Sequence, residues 1–256
     1  MKKTQSVVLS SLMASVLCLP VSSYAAGYKV VSVSNGGSIK GEVTFAGSEA
    51  DAKKHDKVYT SIKDEAVCGK GPRTIQYVKV NGSALNDVVV YLLKVKEGKA
   101  WIESEKNTTL DQKGCEFMPF FSIMANKGEL TATNSDAVAH NIHTYEMIGR
   151  AKKTTINISQ PNQNSEVTKE IKLKRGVSMK VECDQHDFMH GFVFVAKNPY
   201  YAVVAKDGTY QIEDIPAGKY KVKAWHGYLK DPKKQILTVE AGQTESVNFV
   251  YKNKKK

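Results

Sequence analysis

Apolar and polar residues alternate with a period of two through most of this chain, and that alternation limits it to half-buried strands. In SIKGEVTFAG, Ile39, Gly41, Val43 and Phe45 fall on one side of the pattern; NDVVVYLLKV is a longer and more apolar run. The pattern returns in GELTATN, EVTKEIKLK, SMKVEC, GFVFVA, GTYQIEDI, KYKVKAW and ESVNFVY. Successive side chains of a strand point to opposite faces, so a period of two buries one face of a sheet. Short breaks such as ANKG, KRG, KDG, PAGK and EAGQ supply the turns. Helical periodicity is scarce, with EADAKKHDKV making a turn or two at most. Many short strands with regular turn signals predict an all-β chain of sandwiches or barrels.

The first residues, MKKTQSVVLSSLMASVLCLPVSSYAAG, combine two lysines, an apolar run from Val7 to Leu19 and small residues around Ala25. This reads as a signal peptide over residues 1–25; the run is short for a membrane span, and a retained anchor is the alternative. Cys18 lies inside it, behind a Leu17 that suits lipoprotein processing poorly. Without the leader the expected product is periplasmic or secreted and has no membrane span. The chain of 256 residues carries a net charge of +11, about +9 once Lys2 and Lys3 are removed. The KNKKK at 252–256 reads as a solvated basic tail. The rest of the excess suits an acidic partner, and no nucleic-acid recognition motif accompanies it.

Three cysteines follow the leader. In an oxidising compartment an odd number leaves one thiol over. Cys68 in AVCGKG and Cys115 in KGCEFMP sit in Gly-containing turns without other ligand types nearby, and are expected to pair as a disulfide. Cys183 is the thiol left over. It opens VECDQHDFMHGFVF, which also holds His186, Met189 and His190, while His140 and His143 lie upstream in NSDAVAHNIHTY. No CxxCH occurs, so covalent haem attachment is not expected. A type 1 copper site needs two imidazoles, one thiolate and a long, weak thioether bond, which His140, Cys183, His186 and Met189 offer. His140 and His143 are three apart on a strand and face opposite ways, so His143 is the weaker candidate. His190 competes with Met189 for the axial position, with a redder, more tetragonal copper as its signature. Zinc is a competing metal for Cys and His, and a buried free cysteine beside incidental histidines is the bland alternative.

The CxxHxxM spacing of Cys183, His186 and Met189, with Phe188 and Gly191, resembles the short ligand loop of amicyanin-type cupredoxins, and the Asn after His140 resembles their upstream motif. The resemblance implies one type 1 copper and a hydrogen-bonding role for Asn141, which would tether the ligand strand to the cysteine loop. It departs from the family at Gln185 and Asp187, where proline beside the second histidine is usual. A charged Asp187 puts the usual apolar docking rim in doubt. GSIKGEVTFAG with ALNDVVVYLLK, and YYAVVAKDGTYQIEDIPAGKYKVKAWH with KQILTVEAGQTESVNFVY, resemble two parts of a carboxypeptidase regulatory-like (transthyretin-like) β-sandwich. Together they imply a cupredoxin-type Greek-key sandwich, 100–196, inserted in or beside a regulatory-like sandwich of residues 26–99 and 197–251. A separate N-terminal appendage is the simpler alternative. The arrangement is similar to exported methylamine-utilisation-like proteins.

The remaining candidates read as structural. Trp225 and His226 are expected as rim residues packing between modules, His55 as solvated, and Met118, Met124 and Met147 as core or edge packing. No catalytic constellation stands out, so the expected function is not an enzyme's. It is the carriage of single electrons between periplasmic redox partners, such as a c-type cytochrome or a dehydrogenase. Copper delivery and a structural envelope module with a vestigial site are the rivals.

Overall fold

The computed structural model describes residues 27–256, so the leader read over 1–25, with Cys18, lies outside the described residues. The described chain is nearly all β, arranged in several sandwich-like sheets. Strands from its two ends share sheets. The strand Gly37–Ala46 pairs antiparallel with Thr209–Ile215 and parallel with Thr244–Ser246 and Phe249–Lys252. Gly41 sits where the link between those last two strands crosses, and a Cβ there would collide with the Val247 carbonyl. Val88–Leu93 pairs with Tyr201–Val203 on one side and Gly218–His226 on the other, the latter pairing in turn with Gln235–Val239.

Named strands between 108 and 196 pair only with one another. One sheet runs Phe117–Met118, Thr108–Gln112, Glu129–Asn134, Ser165–Glu170; the other runs Phe121–Ala125, His190–Ala196, Ser178–Glu182, His140–Ile148, Ala151–Gln160. The strand His190–Ala196 is buried along nearly its whole length, because both of its faces are covered. Phe194 meets Tyr91 and Trp225 of the neighbouring sheet at ring separations of 5.0 and 5.5 Å. The short helix Glu49–Lys53 starts with a capping box, Ser48 and Asp51 each accepting the other's backbone amide.

Trp225 and His226 end the strand Gly218–His226 in the interior. The neutral Nδ1 of His226 accepts the amides of Tyr228 and Leu229, at 3.1 and 2.9 Å. Complete burial, aided by Lys256, pulls this imidazole from 6.5 down to about 3. The ring therefore stays neutral in the fold where an unfolded chain would bind a proton. Its contribution is full above about pH 6.5 and is lost as pH falls toward 3. Urea midpoints should accordingly drop from about pH 7 to about pH 4.5, and His226→Gln should flatten that dependence while lowering stability at pH 7.

The basic tail is exposed along 252–256, as expected, and is also hydrogen-bonded to the fold. The Lys230 amide donates to the Lys254 carbonyl at 2.8 Å and the Lys256 amide to the Tyr228 carbonyl at 3.2 Å. Lys256 Nζ lies 3.3 Å from Asp231 and donates to the His226 carbonyl at 2.6 Å. The Asp231 carboxylate holds Lys256 against the fold, while residues 252–256 remain exposed.

Candidate metal centre

Cys183 and His186 occupy the tip of the hairpin that joins Ser178–Glu182 to His190–Ala196. His140 begins the neighbouring strand, whose His143 is registered against Glu182, so the strand start lies beside the tip. Cys183 Sγ is 3.8 Å from His140 Nδ1 and 3.7 Å from His186 Nδ1, and the two Nδ1 atoms are 3.0 Å apart. All three side chains are buried.

The opposite edges of both rings explain why Nδ1 faces inward. His140 Nε2 is 2.9 Å from Asp136 Oδ2, and His186 Nε2 is 3.0 Å from Asp64 Oδ2. A proton on each Nε2 serves the carboxylate and leaves each Nδ1 a lone pair aimed at the sulfur. Asp136 also accepts the amides of Gly114 and Cys115, each at 2.7 Å. Burial alone would raise this carboxyl; those amides and His140 overcome it and hold it below its usual range. Burial also pushes the His186 imidazole down, with His140 adding to the effect and Asp64 opposing it. Burial pushes the Cys183 thiol up, while the amides of Asn141, Gln185 and His186 work in the other direction. Two lone pairs and a thiol thus converge with no cation of the chain among them.

Asn141 bridges the ligand strand and the hairpin tip. Its Oδ1 accepts the Asp184 amide at 2.6 Å, and its Nδ2 donates to Asp184 Oδ2 and Asn157 Oδ1, each at 2.9 Å. Met189 is buried in the same tip, and its amide closes a turn onto the His186 carbonyl at 3.0 Å. His143 and His190 are directed elsewhere. His143 contacts Asp184 and Thr154, each at 3.0 Å, on the opposite side of its strand. His190 Nε2 meets the Tyr59 hydroxyl at 2.8 Å, and the residue is not part of the His140, Cys183 and His186 cluster.

A segment from the N-terminal part covers the tip. Cys68 and Cys115 are joined by a disulfide, leaving Cys183 as the free cysteine among the described residues. Both disulfide sulfurs lie within 4.8 Å of a His186 ring nitrogen. Arg73 donates to the carbonyls of Cys115, Cys68 and Gly114 at 2.5, 2.6 and 2.9 Å, with its guanidinium 5.0 Å from the Phe188 ring centre. Asp64 precedes the short helix Glu65–Cys68 in a left-handed conformation, φ 57°, and reaches the His186 edge from there. Asp187 is exposed beside the tip, and Asp64 occupies the His186 edge. Asp136 was missed, although its place four residues before His140 was a usable signal. Asp64 had none.

No family model matches the chain, and no curated protein matches it. Among solved structures it is similar to a purple cupredoxin from Nitrosopumilus maritimus, 18% identical over 35% of this chain and 99% of that one, with a TM-score of 0.30. Amicyanin from Paracoccus versutus is 14% identical over 37% of this chain and 85% of its own, at 0.28. A copper-containing nitrite reductase from Thermus scotoductus is 14% identical over 36% of this chain, at 0.29, and only 23% of its length is spanned. These likenesses are too distant to assign a role.

Proposed function

We propose that this is an exported protein that carries single electrons, holding one copper ion through His140, Cys183 and His186 with Met189 as the axial thioether. The observation that carries the reading is the buried triangle of two Nδ1 atoms and one sulfur, with edges of 3.0, 3.7 and 3.8 Å. An ion bound at about 2.0–2.3 Å in a trigonal plane has edges of roughly 3.5–4 Å, so these donors fit it with slight adjustment. A buried Met in the same tip favours copper over zinc. When bound, copper would supply the one-electron couple. The chain's own contribution is to fix both tautomers, exclude water and hold the tip to its neighbouring strand.

In this reading the chain catalyses no bond chemistry. Its partner is another periplasmic redox protein, such as a c-type cytochrome or a dehydrogenase, and the regulatory-like sandwich serves as its platform. Among the described residues no helix is long and apolar enough to cross a membrane. Copper delivery remains the second reading. The covered His186 edge argues against it, because a carrier that hands its ion on needs an open ligand face.

Adding Cu(II) to purified protein tests the proposal. An intense blue colour with the narrow hyperfine splitting of a thiolate-bound Cu(II) is the expected result; a colourless or pale complex refutes it. Carboxylates that orient ligand histidines typically account for about 10–100-fold in metal affinity. Asp136→Asn should fall near the top of that range, since it also accepts two backbone amides, and the half-exposed Asp64→Ala near the bottom. Competition with a chelator of known affinity measures both.

A further inference from the structure

A second site lies away from these ligands, between the five-stranded sheet and the sheet that holds Val88–Leu93. It is an open cleft of about 620 Å³, floored by Tyr91, Phe192 and Trp225. Seven lysines and arginines line it against one carboxylate, Asp231. That carboxylate is already engaged: Lys256 Nζ lies 3.3 Å from it and the His226 amide donates to it at 3.3 Å. Lys223 shares the field of Asp231, while Arg150, Arg175 and Lys230 form no ion pair among the described residues.

The rim is built from the fold. The His226 ring accepts two amides and thereby sets the turn that presents Lys230. The docked tail is tied to that same turn through backbone bonds at Tyr228 and Lys230. Gly227 lets this turn pass over Phe192, where a Cβ would lie 2.5–2.8 Å from the ring. Opposite, Glu146 accepts the amides of Arg175 and Gly176 at 2.7 and 2.6 Å and fixes the loop that carries Arg175.

Cations that outnumber the single carboxylate of an apolar-walled cleft are complemented by an anion. The geometry points to a binding site for a small amphiphilic anion, an aromatic or similarly apolar body bearing two or more acidic groups. The volume falls within the range of small-molecule pockets, about 300–1,000 Å³. The apolar body packs against the partly exposed Leu93, Met147, Ile148 and Val177 above that floor, and the acidic groups meet Arg175 and Lys230 on opposite rims. This site is independent of the copper reading.

Calorimetric titration of the full chain at low salt, with naphthalene disulfonate as the probe, tests the inference. Sulfate and naphthalene methanol supply charge alone and ring alone. One probe per chain should bind, at least about tenfold more tightly than either control. Arg175→Gln/Lys230→Gln should weaken binding by at least about tenfold, equivalent to about 1.4 kcal/mol. Lys169→Gln/Lys172→Gln, which removes the same charge from exposed positions elsewhere, should change it by less than about twofold. Equal binding of sulfate, several probes per chain, or equal weakening by both pairs would each overturn the proposal by showing a general charge effect. Unchanged thermal unfolding of both variants guards against a trivial loss through misfolding.

Discussion

Cu(II) added to the Cys183→Ala variant should leave the solution without the blue colour expected of the wild-type chain under the same conditions. The thiolate is the one donor whose charge transfer to copper produces that colour, and Cys183 is the free cysteine among the described residues. The loss should be complete. Copper affinity should fall as well, because His140 and His186 alone offer two neutral donors. Sheets around the hairpin tip do not depend on the sulfur, so circular dichroism of the variant should match wild type, with a modest loss of stability from a small cavity. A variant that remains blue would remove Cys183 from the site, and an unfolded one would be seen at once by dichroism. His140→Ala provides a second route to the same test from a different strand.

The second large effect belongs to the disulfide. It closes a loop with a sequence separation of 47, for which the chain-entropy relation gives about 4 kcal/mol. For a chain of this size that corresponds to a melting temperature lower by roughly 8–16 °C in Cys68→Ala/Cys115→Ala, measured by calorimetry without metal. Releasing the bridge also frees the helix that carries Asp64, and with it the cover on the His186 edge. A strong Cu(I) chelator should then strip copper-loaded variant faster than wild type. Unchanged melting would show that the sheets alone hold the segment in place, and unchanged stripping that the cover does not control access.

How much of this was legible depended on sequence distance. Cys183, His186 and Met189 share one short hairpin tip, so their spacing is itself a structural statement. His140 carries the adjacent Asn141 as a local mark. The alternation in SIKGEVTFAG and TYQIEDI was readable because each strand has one wet face; in GFVFVA both faces are covered, and only strand length remained as a guide. Asp64 is 122 residues from His186, and its role exists only because a left-handed turn and a disulfide deliver it there. Nothing local to TSIKDEAVC marks it. The anchoring of the exposed tail was illegible for a related reason. Lysine runs are usually solvated, and the carboxylate and aromatic ring that engage Lys256 belong to a turn and a strand well before it in the chain.

The shared sheets at the chain's two ends also set an order of events during folding. Val43 is registered against Phe249, so this pairing cannot form until a residue about 200 positions later is available. The strands of 108–196 find all their partners within that stretch and face a much smaller closure entropy. They can assemble while the N-terminal strand is still waiting. Once they have, Val88–Leu93 and Tyr201–Val203, which flank them, are brought close enough to pair. The late-arriving C-terminal strands then complete a frame around a centre that has already taken shape.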